Sequence, residues 1–304
     1  MSLPSASDLL VESRVVELPM RTRFRGLTVR DTMLVRGPAG WGEFAAFTEY
    51  DDTESAPWLA CAIEQAWGTG PTETERPIFR THVQTNATLP AVSADDVPDI
   101  LERFGDFRTV KVKVAESTQT LDEDIARVAA ARAFVGAEGR VRVDANGGWN
   151  VDEAEHAIRA LERFDLEYVE QPCPTVEELA ELRERVHRMG ILIAADESVR
   201  KAEDPIAVAR AGAADILVIK VAPLGGVRRA LDIIDAAGLP VVISSALESP
   251  IGLAASFDLA RRVEHLDYDC GLATDTLFTG EELSVSPERE QWWRDRATRC
   301  LELL

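Results

Sequence analysis

The chain is poor in basic residues and in long apolar runs, and each shortage excludes a class of function. Its 304 residues include 33 lysines and arginines against 53 aspartates and glutamates, a formal net charge of −20. Such an acidic surface repels nucleic-acid phosphates and anionic membrane surfaces, so we expect neither as a partner. No apolar run approaches the roughly 20 residues that span a bilayer, which excludes a membrane-spanning helix.

Cysteine is also scarce, and its spacing excludes further kinds of site. The four cysteines lack the paired spacing of zinc sites and disulfide frameworks, so we interpret them as reduced thiols of a cytoplasmic protein. The N-terminal residues carry neither the basic nor the apolar segment of a secretion signal, which agrees with that location. The sequence leaves the oligomeric state open, and a monomer is compatible with it.

The pattern of apolar runs changes along the chain. Residues 1–80 predict a small α+β unit with two strands, a turn at 37–40 and a helix ending at Trp67. Residues 81–274 alternate strand and helix patterns. Residues 275–304 predict a helical segment that packs back on the N-terminal unit.

Eight strands are predicted in the alternating region: 83–87, 110–114, 141–144, 168–170, 191–196, 216–220, 241–244 and 265–270. Joined by right-handed crossovers, eight parallel strands close into a TIM-like barrel. An open doubly wound sheet is the alternative. Charges at the ends of five consecutive strands favour the barrel, because an open sheet would spread them along one edge.

These five charges are the main functional signal. Lys113, Asp144, Glu170, Asp196 and Lys220 end strands two to six, whose carboxyl ends converge on one mouth. The two lysines are four strands apart and so face each other, with the carboxylates in the arc between. Three converging carboxylates need a counter-charge, and an all-oxygen site favours Mg²⁺, with Mn²⁺ as a substitute.

Residues beside these five are predicted to support the site. Lys111 shares a strand face with Lys113, and repulsion between the two ammonium groups would lower the proton affinity of the more confined one. A lysine of lowered pKa can act as a base near neutral pH. Arg142 lies one layer below the first carboxylate, where it either balances the carboxylates or forms a structural ion pair. Asn146 follows that strand near the metal position, and Glu197 takes a supporting role.

A base beside a carboxylate-bound dication suits proton removal from the carbon next to a substrate carboxylate. The cation and the opposite ammonium would stabilise the resulting enediolate. The five residues do not specify whether that intermediate then loses water, is reprotonated or closes a ring.

The segments that carry these residues resemble the enolase superfamily, specifically its muconate-lactonising-enzyme-like branch. The matching motifs lie at residues 111–113, 143–146, 169–172, 195–198 and 219–226. The resemblance covers nearly the whole chain. It implies an α+β capping domain at 1–80, a (β/α)7β barrel at 81–274 and a C-terminal segment at 275–304 that packs on the cap. It also implies Mg²⁺ ligation by the three carboxylates and an acid–base role for Lys113 and Lys220.

Within that branch the chain is most similar to the short o-succinylbenzoate synthases of actinobacteria, in its length, in Phe24-Arg25-Gly26 and in residues 244–249. This resemblance implies dehydration of 2-succinyl-6-hydroxy-2,4-cyclohexadiene-1-carboxylate to 2-succinylbenzoate in menaquinone biosynthesis. It implies that Lys113 removes the proton and assists departure of the hydroxyl, while Lys220 supports the enediolate. The alternative is an N-acylamino acid racemase or cycloisomerase with the same metal and lysine pair.

Three further residues are predicted to contact this small carboxylate substrate. Arg25 is expected to help close a mobile loop over the mouth. Ser245 follows the seventh strand, where dipeptide epimerases of the branch carry Asp-x-Asp, and its presence there with Glu248 counts against a dipeptide substrate. Gly271, after the last strand, offers a backbone N–H to a substrate carboxylate.

Overall fold

Two sheets organise the chain in the computed structural model, which describes residues 3–201 and 203–304. The strands are β1 (Arg14–Phe24), β2 (Leu27–Gly37), β3 (Gly40–Phe44), β4 (Ala87–Leu89), β5 (Thr109–Lys113), β6 (Arg140–Asp144), β7 (Leu166–Glu170), β8 (Ile193–Ala195), β9 (Ile216–Lys220), β10 (Val241–Ser244) and β11 (Leu283–Ser284). The α-helices are α1 (Ala6–Leu10), α2 (Asp52–Trp67), α3 (Val97–Leu101), α4 (Leu121–Val135), α5 (Val151–Leu161), α6 (Val176–Val186), α7 (Glu197–Arg200), α8 (Ala207–Arg210), α9 (Val221–Leu224), α10 (Val227–Ala237), α11 (Pro250–Arg262) and α12 (Pro287–Leu301).

The larger sheet is parallel, and each strand pairs with the next one along the chain, from β4 to β10. The chain closes this sheet through a short segment after α11. There, Asn86 N–H donates to Cys270 O at 2.9 Å, and Gly271 N–H donates to Ile243 O at 2.9 Å. Sequential order and closure confirm the predicted TIM-like barrel and exclude the open doubly wound sheet.

The predicted bounds of the first and last barrel strands were wrong. The strand predicted at 83–87 lies at Ala87–Leu89, because only these residues pair with β5, and Pro90 follows directly. The strand predicted at 265–270 is reduced to two isolated bridges, which join Cys270 to Thr85 and Gly271 to Ser244. Polar residues interrupt the apolar runs in both segments, so the sequence does not mark where a strand begins and ends there.

Two of the helices between the strands begin at residues whose side chains cap them. Asn150 and Thr175 cap α5 and α6, each in a reciprocal capping box with the glutamate three residues later. Gly190 and Gly238, which follow the last turns of two helical segments, adopt left-handed conformations. Within the described ranges, no helix is both long and apolar enough to cross a membrane.

The smaller sheet is antiparallel, in the order β11-β1-β2-β3. Strand β1 includes the basic residues Arg21 and Arg23, and the chain turns into β2 at Arg25 and Gly26, both with positive φ (50° and 77°). Two successive left-handed residues form the hairpin turn that matches the twist of the strands. Helix α2 packs against β3, where a Cβ at Gly42 would lie 2.1 Å from Ala62 O.

The C-terminal segment lies against this N-terminal unit. Strand β11 pairs with β1, and α12 packs on α2. Trp293 Nε1 donates to Asp31 at 2.9 Å, and the buried Arg296 guanidinium donates to the Phe47 and Tyr50 carbonyls at 2.9 and 2.7 Å. The domain boundaries at residues 80 and 274 stay predictions.

Candidate active site

The five predicted charges lie at one end of the barrel. In the registers of the ladders Lys113 pairs with Asp144 and Asp144 pairs with Glu170, so the three residues form a row across β5, β6 and β7. Asp196 follows β8 directly, and Lys220 is the last residue of β9. Alternation along each strand turns their side chains inward, while the neighbouring valines and isoleucines pack against the helices.

The first two carboxylates and two of the lysines form one hydrogen-bonded cluster. Lys113 Nζ donates to Asp144 Oδ2 at 2.6 Å and to Asn146 Oδ1 at 2.6 Å. Lys111 Nζ lies deeper, at 2.9 and 3.0 Å from the two oxygens of Glu170 and 3.3 Å from Asp144 Oδ2. Asn146 N–H donates to Asp144 Oδ1 at 3.1 Å, so both Asp144 oxygens are engaged.

Burial and close charges shift the pKa values of this cluster. Burial, with the nearby Asp144 charge, raises the pKa of Glu170 to about 7. Although burial acts against it, the Lys113 and Lys111 ammonium groups hold the pKa of Asp144 well below its usual range. Glu170 and Asp144 raise the pKa of Lys111 despite its burial.

Lys111 is the more confined of the two neighbouring lysines, so the expected lowering of its proton affinity was wrong. The carboxylates contact its ammonium group directly and therefore outweigh repulsion from the other lysine.

A second cluster forms around the third carboxylate. Lys220 Nζ donates to Asp196 Oδ2 at 2.6 Å, and Arg200 Nε donates to Asp196 Oδ1 at 3.0 Å. Burial would raise the pKa of Asp196, but Lys220 and Arg200 lower it to about 2. Glu197 Oε1 accepts hydrogen bonds from Arg200 at 2.7 Å and from Asn146 at 3.2 Å, so it links the two clusters.

The donor set fits a hard divalent cation in its chemistry. Asp144, Glu170 and Asp196 are fully buried on adjacent parts of the sheet and offer only oxygen ligands. In the present side-chain positions, however, no group of three or more acidic, histidine or cysteine residues within 3–201 and 203–304 lies close enough together to bind a metal ion. Lysine ammonium groups contact all three carboxylates and balance the charge that a cation would otherwise balance.

Arg142 forms the structural ion pair, one of the two alternatives left open by the sequence. Its Nε donates to Glu167, and its Nη1 donates to Asp269 O at 2.7 Å and Asn86 Oδ1 at 3.1 Å. Its guanidinium lies 4.8 Å from the ring centre of Tyr168, inside the barrel below the carboxylates. Arg142 therefore fills and stabilises the barrel interior.

A cleft opens above the two clusters, at the carboxyl ends of the barrel strands. Ser245 and Arg25 line it, and Ser245 Oγ lies 2.6 Å from Thr274 Oγ1. Gly271 also lines it, but the expectation that its N–H is free for substrate was wrong, because that N–H closes the barrel on Ile243 O. The cleft is further lined by Phe24, Phe47, Thr88, Lys111, Lys113, Asn146, Arg200, Lys220, Ser244, Ala246, Leu247 and Thr274.

The backbone around the mouth adopts conformations that side chains disfavour. Ala115, Asn146, Gln171 and Leu247, each shortly after a barrel strand, have φ values between 38° and 64°. Non-glycine residues with positive φ are uncommon and concentrate at functional sites. Their position agrees with a site built at the carboxyl ends of the strands.

Two residues near the mouth were missed by the sequence analysis. Arg200 lies one helical turn after Asp196, and this i,i+4 spacing of opposite charges is a signal that could have identified it. Tyr50 lies in the loop before α2, and its hydroxyl accepts hydrogen bonds from Arg25 at 2.9 Å and Arg200 at 3.1 Å. These contacts join distant parts of the chain, so no local pattern indicates them.

Comparison with solved structures supports the architecture. The L-Ala-D/L-Glu epimerase from Bacillus subtilis superposes with a TM-score of 0.74 and 22% identity, over 88% of this chain and 90% of that one. The muconate lactonizing enzyme from Pseudomonas fluorescens gives a TM-score of 0.74 and 22% identity, over 90% and 93%. At this identity the likeness shows the fold alone.

Comparison with known sequences identifies the family as well as the fold. The chain is 50% identical to the o-succinylbenzoate synthase of Mycobacterium ulcerans, over 98% of this chain and 95% of that protein. It is 49% identical to the o-succinylbenzoate synthase of Mycobacterium tuberculosis H37Rv, over 99% and 97%. Residues 15–66 match the Enolase N-terminal domain-like family, and residues 93–290 match the Enolase C-terminal domain-like family. These matches confirm the resemblance seen in the motifs: this protein belongs to the enolase superfamily.

Proposed function

We propose that this protein is an o-succinylbenzoate synthase, a metal-dependent lyase of menaquinone biosynthesis. It dehydrates 2-succinyl-6-hydroxy-2,4-cyclohexadiene-1-carboxylate to 2-succinylbenzoate. The observation that carries the proposal is 49–50% identity to mycobacterial o-succinylbenzoate synthases over 98–99% of this chain. A cytoplasmic location agrees with the four buried cysteines, which are all free and all within the described residues.

Lys113 is the base in this proposal. Its Nζ lies at the inner edge of the cleft, 2.6 Å from both Asp144 Oδ2 and Asn146 Oδ1, which fix its direction. This nitrogen takes the proton from the carbon next to the ring carboxylate. It then returns that proton to the hydroxyl on the adjacent ring carbon. One C–H and one C–O bond break, water leaves, and the ring becomes aromatic.

Lys220 stabilises the negative charge that develops on the substrate carboxylate. Its ammonium group enters the mouth from β9, on the far side of the carboxylate arc from Lys113. Held at Asp196, it is oriented before the reaction begins, which is the arrangement that favours charge stabilisation. Asp144, Glu170 and Asp196 would hold a divalent cation, either Mg²⁺ or Mn²⁺ as its substitute. This cation would acidify the substrate proton that Lys113 removes and would stabilise the same negative charge.

The alternative, an N-acylamino acid racemase or cycloisomerase, is favoured by one observation. Lys113 and Lys220 approach the cleft from opposite sides of the barrel, and racemisation needs a base on each face of the substrate carbon. A dipeptide substrate is not supported: Glu248 is buried, and one of its oxygens accepts a hydrogen bond from Ala246 N–H at 2.6 Å.

The test is turnover by the purified protein in Mg²⁺, with the cyclohexadiene substrate in one assay and N-succinylamino acids in the other. We expect aromatic absorbance to appear in the first assay, and chelation by EDTA to abolish it until Mg²⁺ is returned. Racemisation of the amino acid without formation of the aromatic product would overturn the lyase assignment. Full activity after chelation would overturn the proposed role of the carboxylates.

A further inference from the structure

A buried ion pair on α4 lies directly beneath the proposed base. Arg127 is completely buried, and Asp124 is 2% exposed. Arg127 Nη1 donates to Asp124 Oδ1 at 2.7 Å, one helical turn away. Neither residue lines the cleft, so the ion pair has no direct role in the chemistry described above.

The pair holds the backbone immediately around Lys113. Arg127 Nη1 donates to Lys113 O at 2.7 Å. Asp124 Oδ2 accepts the N–H of Ala115 at 2.9 Å. Ala115 has a φ of 64°, a conformation that an alanine keeps only when its surroundings impose it. The chain is therefore fixed on both sides of Val114, at the point where β5 ends.

The same guanidinium also joins two loops of the outer cleft. Arg127 Nε donates to Val92 O at 2.6 Å, after β4, and Nη2 donates to Gln119 Oε1, after β5. Gln119 Nε2 in turn donates to Ala91 O at 3.1 Å. Ala91 and Gln119 both line the outer part of the mouth.

A contribution to folding stability does not by itself explain why a buried ion pair occupies this position. Burying two charges is costly, and an apolar pair of similar volume often stabilises a protein as well or better. What the pair provides, and an apolar pair would not, is a set of directional hydrogen bonds to the end of the strand that carries Lys113.

We propose that Asp124 and Arg127 are positioning residues for Lys113. Together they fix the end of β5, so that the amine lies within reach of the substrate proton. This inference rests on the proposed function, in which Lys113 is the base. A shift of about 1 Å in a catalytic group can cost roughly 100-fold in rate.

The experiment compares Arg127→Lys with Arg132→Lys on the same helix. Arg132 also donates to backbone carbonyls, at 3.0 Å to Phe164 O and 2.6 Å to Gly139 O, but at the opposite end of the barrel. For each folded variant we would measure kcat, KM and the isotope effect with substrate deuterated next to the carboxylate. A purely structural role would change the folded fraction without changing the isotope effect.

We expect Arg127→Lys to lower kcat about 10- to 100-fold, with KM nearly unchanged and a larger isotope effect, because proton removal becomes slower. Arg132→Lys should keep the wild-type kcat and isotope effect. Equal losses in both variants, or a wild-type kcat in Arg127→Lys, would overturn the inference.

If Arg127→Lys does not fold, Asp124→Asn provides the test, because it keeps an oxygen for Ala115 N–H and loses the charge that orients Arg127. A lowered kcat with a larger isotope effect supports the inference, and unchanged values overturn it. Wild-type protein that fails to dehydrate the substrate would instead contradict the proposed function, so the two failures are distinguishable.

Discussion

Glu248 is a buried carboxyl that the proposed chemistry does not use. It is 2% exposed, and one of its oxygens has no hydrogen-bond partner among the described residues. Burial, with the nearby charge of Glu43, raises its pKa to about 7, although the buried Arg30 lies close enough to act in the opposite direction. The residue therefore holds its proton more tightly in the folded than in the unfolded chain.

This carboxyl predicts a loss of stability as pH rises. Below the ordinary pKa of 4.5 Glu248 is protonated in both states and has no effect. Between that value and about 7 the folded state binds more protons, so the free energy of unfolding falls with increasing pH. Glu248→Gln should remove this contribution and gain up to about 3 kcal/mol on the wild type between pH 4.5 and 8.

Urea denaturation at pH 4.5 and pH 8 measures this difference. Glu138→Gln, at an exposed position, is the control and should follow the wild type at both pH values. If Glu248→Gln loses as much stability as the wild type over this range, the pKa of Glu248 is not raised.

At the level of single residues, the sequence predicted which charged side chains the strand ends bring to the mouth of the barrel, while their catalytic and metal-binding roles stay predictions. Lys113, Asp144, Glu170 and Lys220 each end an apolar run, and alternation alone sets the direction of their side chains. The use of Gly271 N–H could not be predicted, because it depends on barrel closure rather than on a local pattern. The pairing of Arg142 with Glu167 likewise depends on contacts between strands.

Among the elements, the β1–β2 hairpin is the part of the cap that reaches the mouth. Its tip residue Arg25 lies over the Phe47 ring at 3.7 Å and donates to the Tyr50 hydroxyl. The same hydroxyl accepts from Arg200, which binds the third carboxylate. Phe24, at the end of β1, has its ring centre 5.3 Å from Lys113 Nζ. Tyr50 therefore links the hairpin tip to the barrel.

Loss of this link should weaken substrate binding more than it slows the chemistry. Tyr50→Phe removes the acceptor shared by two guanidinium groups, and a hydrogen bond to a charged group contributes about 1.5–3 kcal/mol. We expect KM to rise about tenfold, with kcat changed much less, in steady-state kinetics. Tyr268→Phe, at the opposite end of the barrel interior, is the matched control and should leave KM unchanged. A wild-type KM in Tyr50→Phe would show that the hairpin tip does not depend on this contact.

The strands that form long, continuous apolar runs were predicted correctly, and those with few apolar residues were not. Strands β5, β6, β7, β9 and β10 were recognised because each is a continuous buried run bounded by turns. The first strand was misplaced and the eighth was overextended, because both lie where the barrel closes through single bridges and few apolar residues mark them.

For the whole molecule, the distribution of charge over the surface affects substrate attraction more than the net charge does. The net charge is −20, yet the outer cleft is lined by five basic residues, Arg23, Arg25, Lys113, Arg200 and Lys201, against two acidic ones, Glu116 and Glu197. A basic mouth on an acidic protein concentrates a dianionic substrate locally, and salt screens this attraction.

We therefore expect kcat/KM to fall several-fold as ionic strength rises from 0.01 to 0.5 M, a range that shortens the Debye length from about 30 Å to about 4 Å. Arg23→Glu should lower kcat/KM at low salt and flatten this dependence. Arg103→Glu, exposed at the other end of the barrel, makes the same change in net charge and should not. Equal effects of the two substitutions would contradict local steering by the mouth.

The most direct test of the central claim is the turnover of wild type and Lys113→Ala on the cyclohexadiene substrate at saturating Mg²⁺. If Lys113 is the base at the end of β5, the wild type forms 2-succinylbenzoate and the variant is slower by a factor of about 10²–10⁴, with its fold intact by circular dichroism. A folded Lys113→Ala variant that keeps the wild-type rate would contradict the account.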